Sequence, residues 1–291
     1  MGLSVVSIGI RHVKVWRVEQ APPRSPLKTR QQVDNRSVAL PGSPTPKTFS
    51  GRNCLLGSLI DSTFSHSVAV SDCKSILCTI HGDICLLDDT FKTQQIEIVA
   101  KVDFSIFSVT LDRHNGVVWF AGEGGTVRSA LLDDLMKCAP FPDSSEVPSP
   151  LDLTLPSARE KGPDVLAVGI VCDRLITVGS DRVIRIGTPE KDSSPGILPR
   201  DAKSLPAHGD AVLGVRRLSP KVRPQNPDFL TFSAKGSVLF WMFDGSCTGS
   251  ITIPLDQPAD LEATVSNEIR ALIPCLSDKI LVTGDKCGLL R

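Results

Sequence analysis

Residues 5–18, Val-Val-Ser-Ile-Gly-Ile-Arg-His-Val-Lys-Val-Trp-Arg-Val, read as strand, tight turn, strand, and a degraded copy of the unit returns five times before residue 291. Val5 to Ile8 form a β-branched run, Gly9 to His12 supply the turn, and Val13 and Val15 alternate with Lys14 and Arg17 around Trp16, as two strands with one buried face require. The later copies begin at Leu77, Val118, Leu175, Leu230 and Ile280. Each puts a turn residue in one slot, at Arg11, Gly82, Gly125, Arg182, Gly236 and Gly288, with intervals of 71, 43, 57, 54 and 52 residues. One interval is near the ~40 to 45 residues of a four-stranded propeller blade, so the others must carry long loops. Units of this kind bury their apolar faces only by stacking on one another.

The pattern resembles the WD repeat, in which the third strand of a blade ends in Trp after a turn of Asp-Gly type. Trp stands there at Trp16 and Trp241, with Leu87, Ala130 and Gly187 in other copies, and the turn Asp is kept at Asp181. Leu205-Pro-Ala-His-Gly-Asp-Ala-Val212 resembles the Gly-His entry of such a repeat, which implies a structural, blade-internal role for His208 and not a catalytic one. Lys235 occupies the position where the family usually has Asp. The resemblance implies an all-β WD-repeat β-propeller that is incomplete, with about five to six blades represented and both end blades partial. The structural repeat positions are then Gly9, His12, Trp16, Gly82, Gly125, Asp181, His208, Gly236, Trp241 and Gly288. Neither end supplies the strands the other lacks, so the chain is expected to be a portion of a larger repeat protein or a truncated product, with exposed sheet edges.

Three regions follow. Residues 1–19 are a partial first blade, residues 20–47 a proline-rich basic loop, and residues 48–291 further blades, the last truncated. Proline has no N–H to offer a ladder, and residues 20–47 have no period of two or 3.6, so a disordered loop is expected there. Between Arg11 and Arg52 nine basic residues face two acidic ones, Glu19 and Asp34. Ser25, Ser43 and Thr45 each precede a proline, the pattern that proline-directed kinases accept, which makes the loop a phosphorylation-controlled docking segment. Residues 139–163 and 189–200 read as further loops, with 151–155 as an outer edge strand.

Composition narrows the function. Lys plus Arg equals Asp plus Glu at 32 each, so there is no global basic field for nucleic acid. No apolar run approaches the ~18 residues of a membrane-spanning helix, and the first residues lack the pattern of a secretory signal. Nine scattered cysteines without a CxxC pair suggest reduced thiols and a cytoplasmic, cytoskeletal or nuclear setting. Cys73, Cys78 and Cys85 are read as buried small hydrophobes and not as a metal site. The five histidines lack metal spacing, and no phosphate loop, nucleophile elbow or zinc-protease motif is present. Catalytic residues, cofactors and metals are therefore expected to be none. The alternative is a propeller enzyme with its site in the central channel.

Gly9-Ile-Arg-His-Val-Lys-Val-Trp16 also resembles the blade ending of mitogen-activated-protein-kinase-binding WD-repeat proteins and of echinoderm-microtubule-associated-protein-like proteins. Residues 48–57 sit where those families re-enter the next blade. This likeness implies a non-enzymatic scaffold for protein–protein interactions in kinase signalling or microtubule and spindle assembly, with kinases or cytoskeletal proteins as partners.

Overall fold

A computed structural model describes residues 4–20, 47–90, 94–138, 149–153, 162–188, 203–220, 224–255 and 267–291. Ser25, Ser43 and Thr45, and nearly all of the loop predicted at 20–47, lie outside them. The described residues form six successive sheets, antiparallel apart from one short parallel edge pairing. The first holds β1 (Ser4–Gly9), β2 (His12–Gln20) and β3 (Lys47–Asn53); the second β4 (Phe64–Ala69), β5 (Lys74–Thr79), β6 (Asp83–Asp88) and β7 (Gln95–Lys101). The third holds β8 (Ile106–Asp112), β9 (Val117–Gly122) and β10 (Val127–Leu131), followed by helix α1 (Leu132–Lys137) and the short β11 (Leu151–Asp152). The fourth holds β12 (Val165–Val171), β13 (Arg174–Gly179), β14 (Val183–Gly187) and β15 (Lys203–Pro206). The fifth holds β16 (Val212–Arg217), β17 (Phe229–Ser233), β18 (Ser237–Trp241) and β19 (Cys247–Thr252), and the sixth β20 (Ile269–Cys275) and β21 (Ile280–Asp285).

Five apolar clusters fill the five spaces between neighbouring sheets. Val13 and Val15 meet Leu77 and Leu87 between the first two, and Ile76 and Ile84 meet Ile106 and Phe120 between the next. Trp119 and Val127 meet Val168 and Leu175, Ile176 and Ile184 meet Val215 and Trp241, and Leu230 and Phe232 meet Ile269 and Leu272. This explains why the middle strands are apolar without alternation: each inner sheet is covered on both faces, and successive residues go to opposite neighbours. In β5, Leu77 packs toward the first sheet, and Ile76 and Cys78 toward the third.

The repeat is also written in the backbone. All six slot residues have positive φ: Arg11 at 52°, Gly82 at 86°, Gly125 at 74°, Arg182 at 66°, Gly236 at 89° and Gly288 at 82°. Two of them are arginines, which bear a left-handed conformation that glycine adopts freely. At Gly236 a side chain is excluded twice over, since a Cβ would also sit 2.5 Å from the Ile253 carbonyl oxygen. A second shared feature is a bulge at the start of the first strand of five sheets, between Phe64 and His66, Ile106 and Ser108, Val165 and Ala167, Val212 and Gly214, and Ile269 and Ala271. Such a bulge bends and twists the strand. These bulged strands, β4, β8, β12, β16 and β20, pack one against the next and form the inner wall. β1 has no bulge in its pairing with β2 and abuts β4 as β13 abuts β16. It therefore occupies a second-strand position, and among the described residues the first sheet has no innermost strand.

One expectation is met and one corrected. The outer edge strand expected at 151–155 is present as β11, which pairs in parallel with β7 and extends the second sheet to five strands; residues 154 and 155 lie outside the described residues. Helix α1 directs this, because Leu135 is buried in the cluster between the second and third sheets, where Leu151 and Leu153 also pack. The three-cysteine reading holds for Cys78 and Cys85, which are buried, but Cys73 is exposed because it lies in the bend before β5.

Candidate functional site: the blade hydrogen-bond sets and the inner channel

The most complete polar set lies in the fifth sheet. Trp241 Nε1–H donates to Thr231 Oγ1 at 2.9 Å, and the same hydroxyl lies 2.8 Å from His208 Nε2. All three residues are buried, so the loop before β16, the second strand and the end of the third strand are tied at one point. Among the described residues His208 Nδ1 has no hydrogen-bond partner. The neighbouring carboxylate of Asp210 is engaged by the Lys235 backbone N–H at 2.7 Å, and Lys235 itself brings no acceptor to the position where the WD pattern has Asp. Burial lowers the His208 pKa, against an upward pull from Asp210.

The first sheet holds a reduced version. Trp16 Nε1–H donates to Ser7 Oγ at 2.9 Å, and Ser7 Oγ lies 3.0 Å from His12 Nε2. Ser7 faces Lys14 as Thr231 faces Leu239, so the two hydroxyls occupy equivalent positions. In the fourth sheet the equivalent is Thr177, paired with Arg185, and Gly187 stands in the Trp position. Thr177 Oγ1 is consequently buried without a hydrogen-bond partner among the described residues. Asp181 organises its turn instead, accepting from Val183 N–H and holding Arg185 at 2.5 Å. Gly82, Gly125, Gly236 and Gly288 are turn positions, and Gly9 closes the β1–β2 hairpin opposite His12. None of these residues gathers around a common ligand space; each acts within its own sheet.

The inner channel is different. Five bulged strands surround a cavity of about 640 Å³. Its wall includes Ser67 and His66 from β4, Thr110 from β8, Gly169 from β12, Arg216 and Arg217 from β16 and Arg270 from β20, with no Asp or Glu among the described residues. Arg216 is half-buried, and its guanidinium donates to the backbone oxygens of Leu272 at 2.9 Å and Val215 at 2.8 Å and stacks 5.6 Å from the Phe232 ring. Burial lowers its pKa. His66 is open to the cavity yet ringed by the inner strands. Burial, then the charge of Arg216, holds its pKa down to about 4, so the ring is neutral near pH 7. Arg270 is paired with Glu268 at 2.7 Å. The sequence gives a faint signal of this convergence, the Arg216-Arg217 pair at the end of an inner strand; Arg270 joins it only through the ring geometry.

Among the described residues no group of His, Cys, Asp or Glu could hold a metal ion. Burial raises the thiols of Cys54 (to about 11, aided by Asp89), Cys78 and Cys85, leaving them neutral packing groups. No helix among the described residues is long and apolar enough to cross a membrane.

No family description and no curated protein matches this chain. Solved structures do. The WD40 β-propeller domain of Doa1 aligns at a TM-score of 0.52 with 19% identity, covering 79% of this chain and 64% of that one. This chain thus spans less than two thirds of that chain's length. The computationally designed Ika8 protein aligns over 79% of this chain and 57% of its own, with 12% identity and a TM-score of 0.46, too distant to bear on the argument. The fold is an all-β, WD-repeat-type propeller arrangement.

Proposed function

We propose that the chain is a non-enzymatic WD-repeat scaffold that displays the loops between its strands to protein partners. The observation that carries this reading is the likeness of the fold to a WD40 propeller domain, an architecture that generally mediates protein–protein interactions. The channel chemistry supports it. A hydrolase site working through a carboxylate or histidine base would need that group poised near neutrality, whereas among the described residues this wall has guanidiniums and a His66 ring whose pKa is held down to about 4.

The finer reading rests on residues 9–16 and on the basic segment at 20–47. It places the scaffold in the cytoplasm, in kinase signalling or at microtubules. Phosphorylation of Ser25, Ser43 and Thr45 would bring the local surplus of seven positive charges to roughly +1 to +2.5, since each phosphate carries about −1.5 to −2, and would release an acidic partner. The test measures binding to a purified mitogen-activated protein kinase and co-sedimentation with microtubules. It uses the chain as it stands, the chain phosphorylated by a proline-directed kinase, and a variant with residues 21–46 replaced by a Gly-Ser linker. Binding to one partner that the linker and the phosphates each weaken is expected. Binding to neither partner, or no phosphate on any of the three residues, sinks the finer reading.

A further inference from the structure

We propose that the inner channel binds a small polyphosphate, a ligand carrying two or more phosphate groups. The proposal is independent of the scaffold reading. It starts from an uncompensated charge. Arg216 is half-buried, yet its hydrogen bonds go to backbone carbonyls, and among the described residues no carboxylate pairs with it. Arg217, beside it on β16 and also in the cavity wall, has no side-chain partner among the described residues. Arg270 adds a third guanidinium from the adjacent strand β20, and its Glu268 partner does not line the cavity.

Gathering like charges around a partly enclosed space costs free energy, and an anion that fills the space repays it. Guanidinium groups suit phosphate, because the planar donor fork matches two phosphate oxygens at once. The cavity, at about 640 Å³, is in the range of small-molecule sites, and arginines from two strands give it room for a ligand with more than one phosphate. Neutral His66 and the hydroxyls of Ser67 and Thr110 supply uncharged hydrogen-bonding groups from β4 and β8. The ligand would also span inner strands of separate sheets and so lock the ring.

The experiment titrates tripolyphosphate into the purified chain by calorimetry, at about 50 and about 200 mM salt, with thermal unfolding in parallel. Saturable binding near one site per chain is expected, weaker at the higher salt, with a raised unfolding temperature. Arg217→Gln should weaken it about tenfold, and Arg217→Gln with Arg270→Gln further, because each removes a charge-assisted contact. Both positions are solvent-accessible, and circular dichroism confirms that the variants fold. Arg52→Gln, on the exposed β3 away from the cavity, should leave binding unchanged. No binding at millimolar tripolyphosphate overturns the proposal. So does equal weakening by Arg52→Gln, which marks diffuse surface attraction, or a phosphopeptide that binds where tripolyphosphate does not.

Discussion

Trp16 and Trp241 fill the same position of the repeat, five residues after the slot, but the fold gives them different surroundings and so different predicted costs of removal. Trp241 is 5% exposed and packs between the fourth and fifth sheets. Its replacement by Ala removes a large buried ring, about 3–5 kcal/mol including the cavity left behind. It also removes the bond to Thr231, worth about 0.5–1.5 kcal/mol because that hydroxyl keeps His208. The total is roughly 4–6 kcal/mol. Trp16 is half-buried on the outward side of the first sheet, with Lys14 Nζ 4.0 Å from its ring centre. Losing it forfeits partial burial, a half-buried cation–π contact and the bond to Ser7, together roughly 1.5–3.5 kcal/mol. At about 2–4 °C per kcal/mol for a chain of this size, Trp241→Ala should lower Tm by roughly 8–24 °C and Trp16→Ala by roughly 3–14 °C. Far-UV circular dichroism reads both without relying on indole fluorescence. Equal shifts, or a larger one for Trp16, would refute the placement of Trp241 between two sheets.

Lys235→Asp should supply the acceptor that His208 Nδ1 lacks, raising stability by about 1 kcal/mol and moving the His208 pKa upward; NMR titration of the imidazole showing no change would count against it. Gly236→Ala should cost at least about 1–3 kcal/mol, from its φ of 89° and the nearby Ile253 carbonyl. Gly9→Ala, with open space around it, should be close to neutral, and similar denaturant midpoints for the two would contradict the slot assignment. Because the folded state holds His66 near 4 against an ordinary 6.5, the unfolded chain takes up that proton first. Its contribution is therefore complete above about pH 6.5 and is lost as pH falls toward about 4. His66→Gln should flatten that limb of the stability curve, and an unchanged limb would show that the ring is not confined by the channel.

The turn slot was legible because a left-handed backbone selects glycine, and four of its six occupants are glycine. Once those fixed the register, Arg11 and Arg182 fell into place despite being poor residues for it. The middle strands were legible as apolar runs bounded by turns. The bulges of the inner strands left no mark, since Phe64, Ile106, Val165, Val212 and Ile269 share only an apolar side chain, and a bulge is set by how the next blade packs. The pairing of Leu151–Asp152 was hidden for a similar reason: Leu135 anchors α1 between two sheets through residues some 35 to 60 positions away in sequence, with Ile84 and Val99 among the cluster it joins. Of the polar set, His208 and Trp241 carried a recognisable pattern. Ser7 and Thr177 did not, because a lone hydroxyl in a strand acquires meaning only from what stands opposite.

Native-state amide hydrogen exchange, resolved by residue, tests the arrangement most directly. Six sheets stacked face to face around a channel predict the slowest exchange in β5, β9, β13 and β17, each paired on both sides and covered on both faces, and fast exchange along β19, whose residues are all exposed. Protection that peaks four times along the chain, in those second strands, is the expected result. Protection concentrated in β19 or β21, or spread evenly over all strands, would contradict the propeller arrangement.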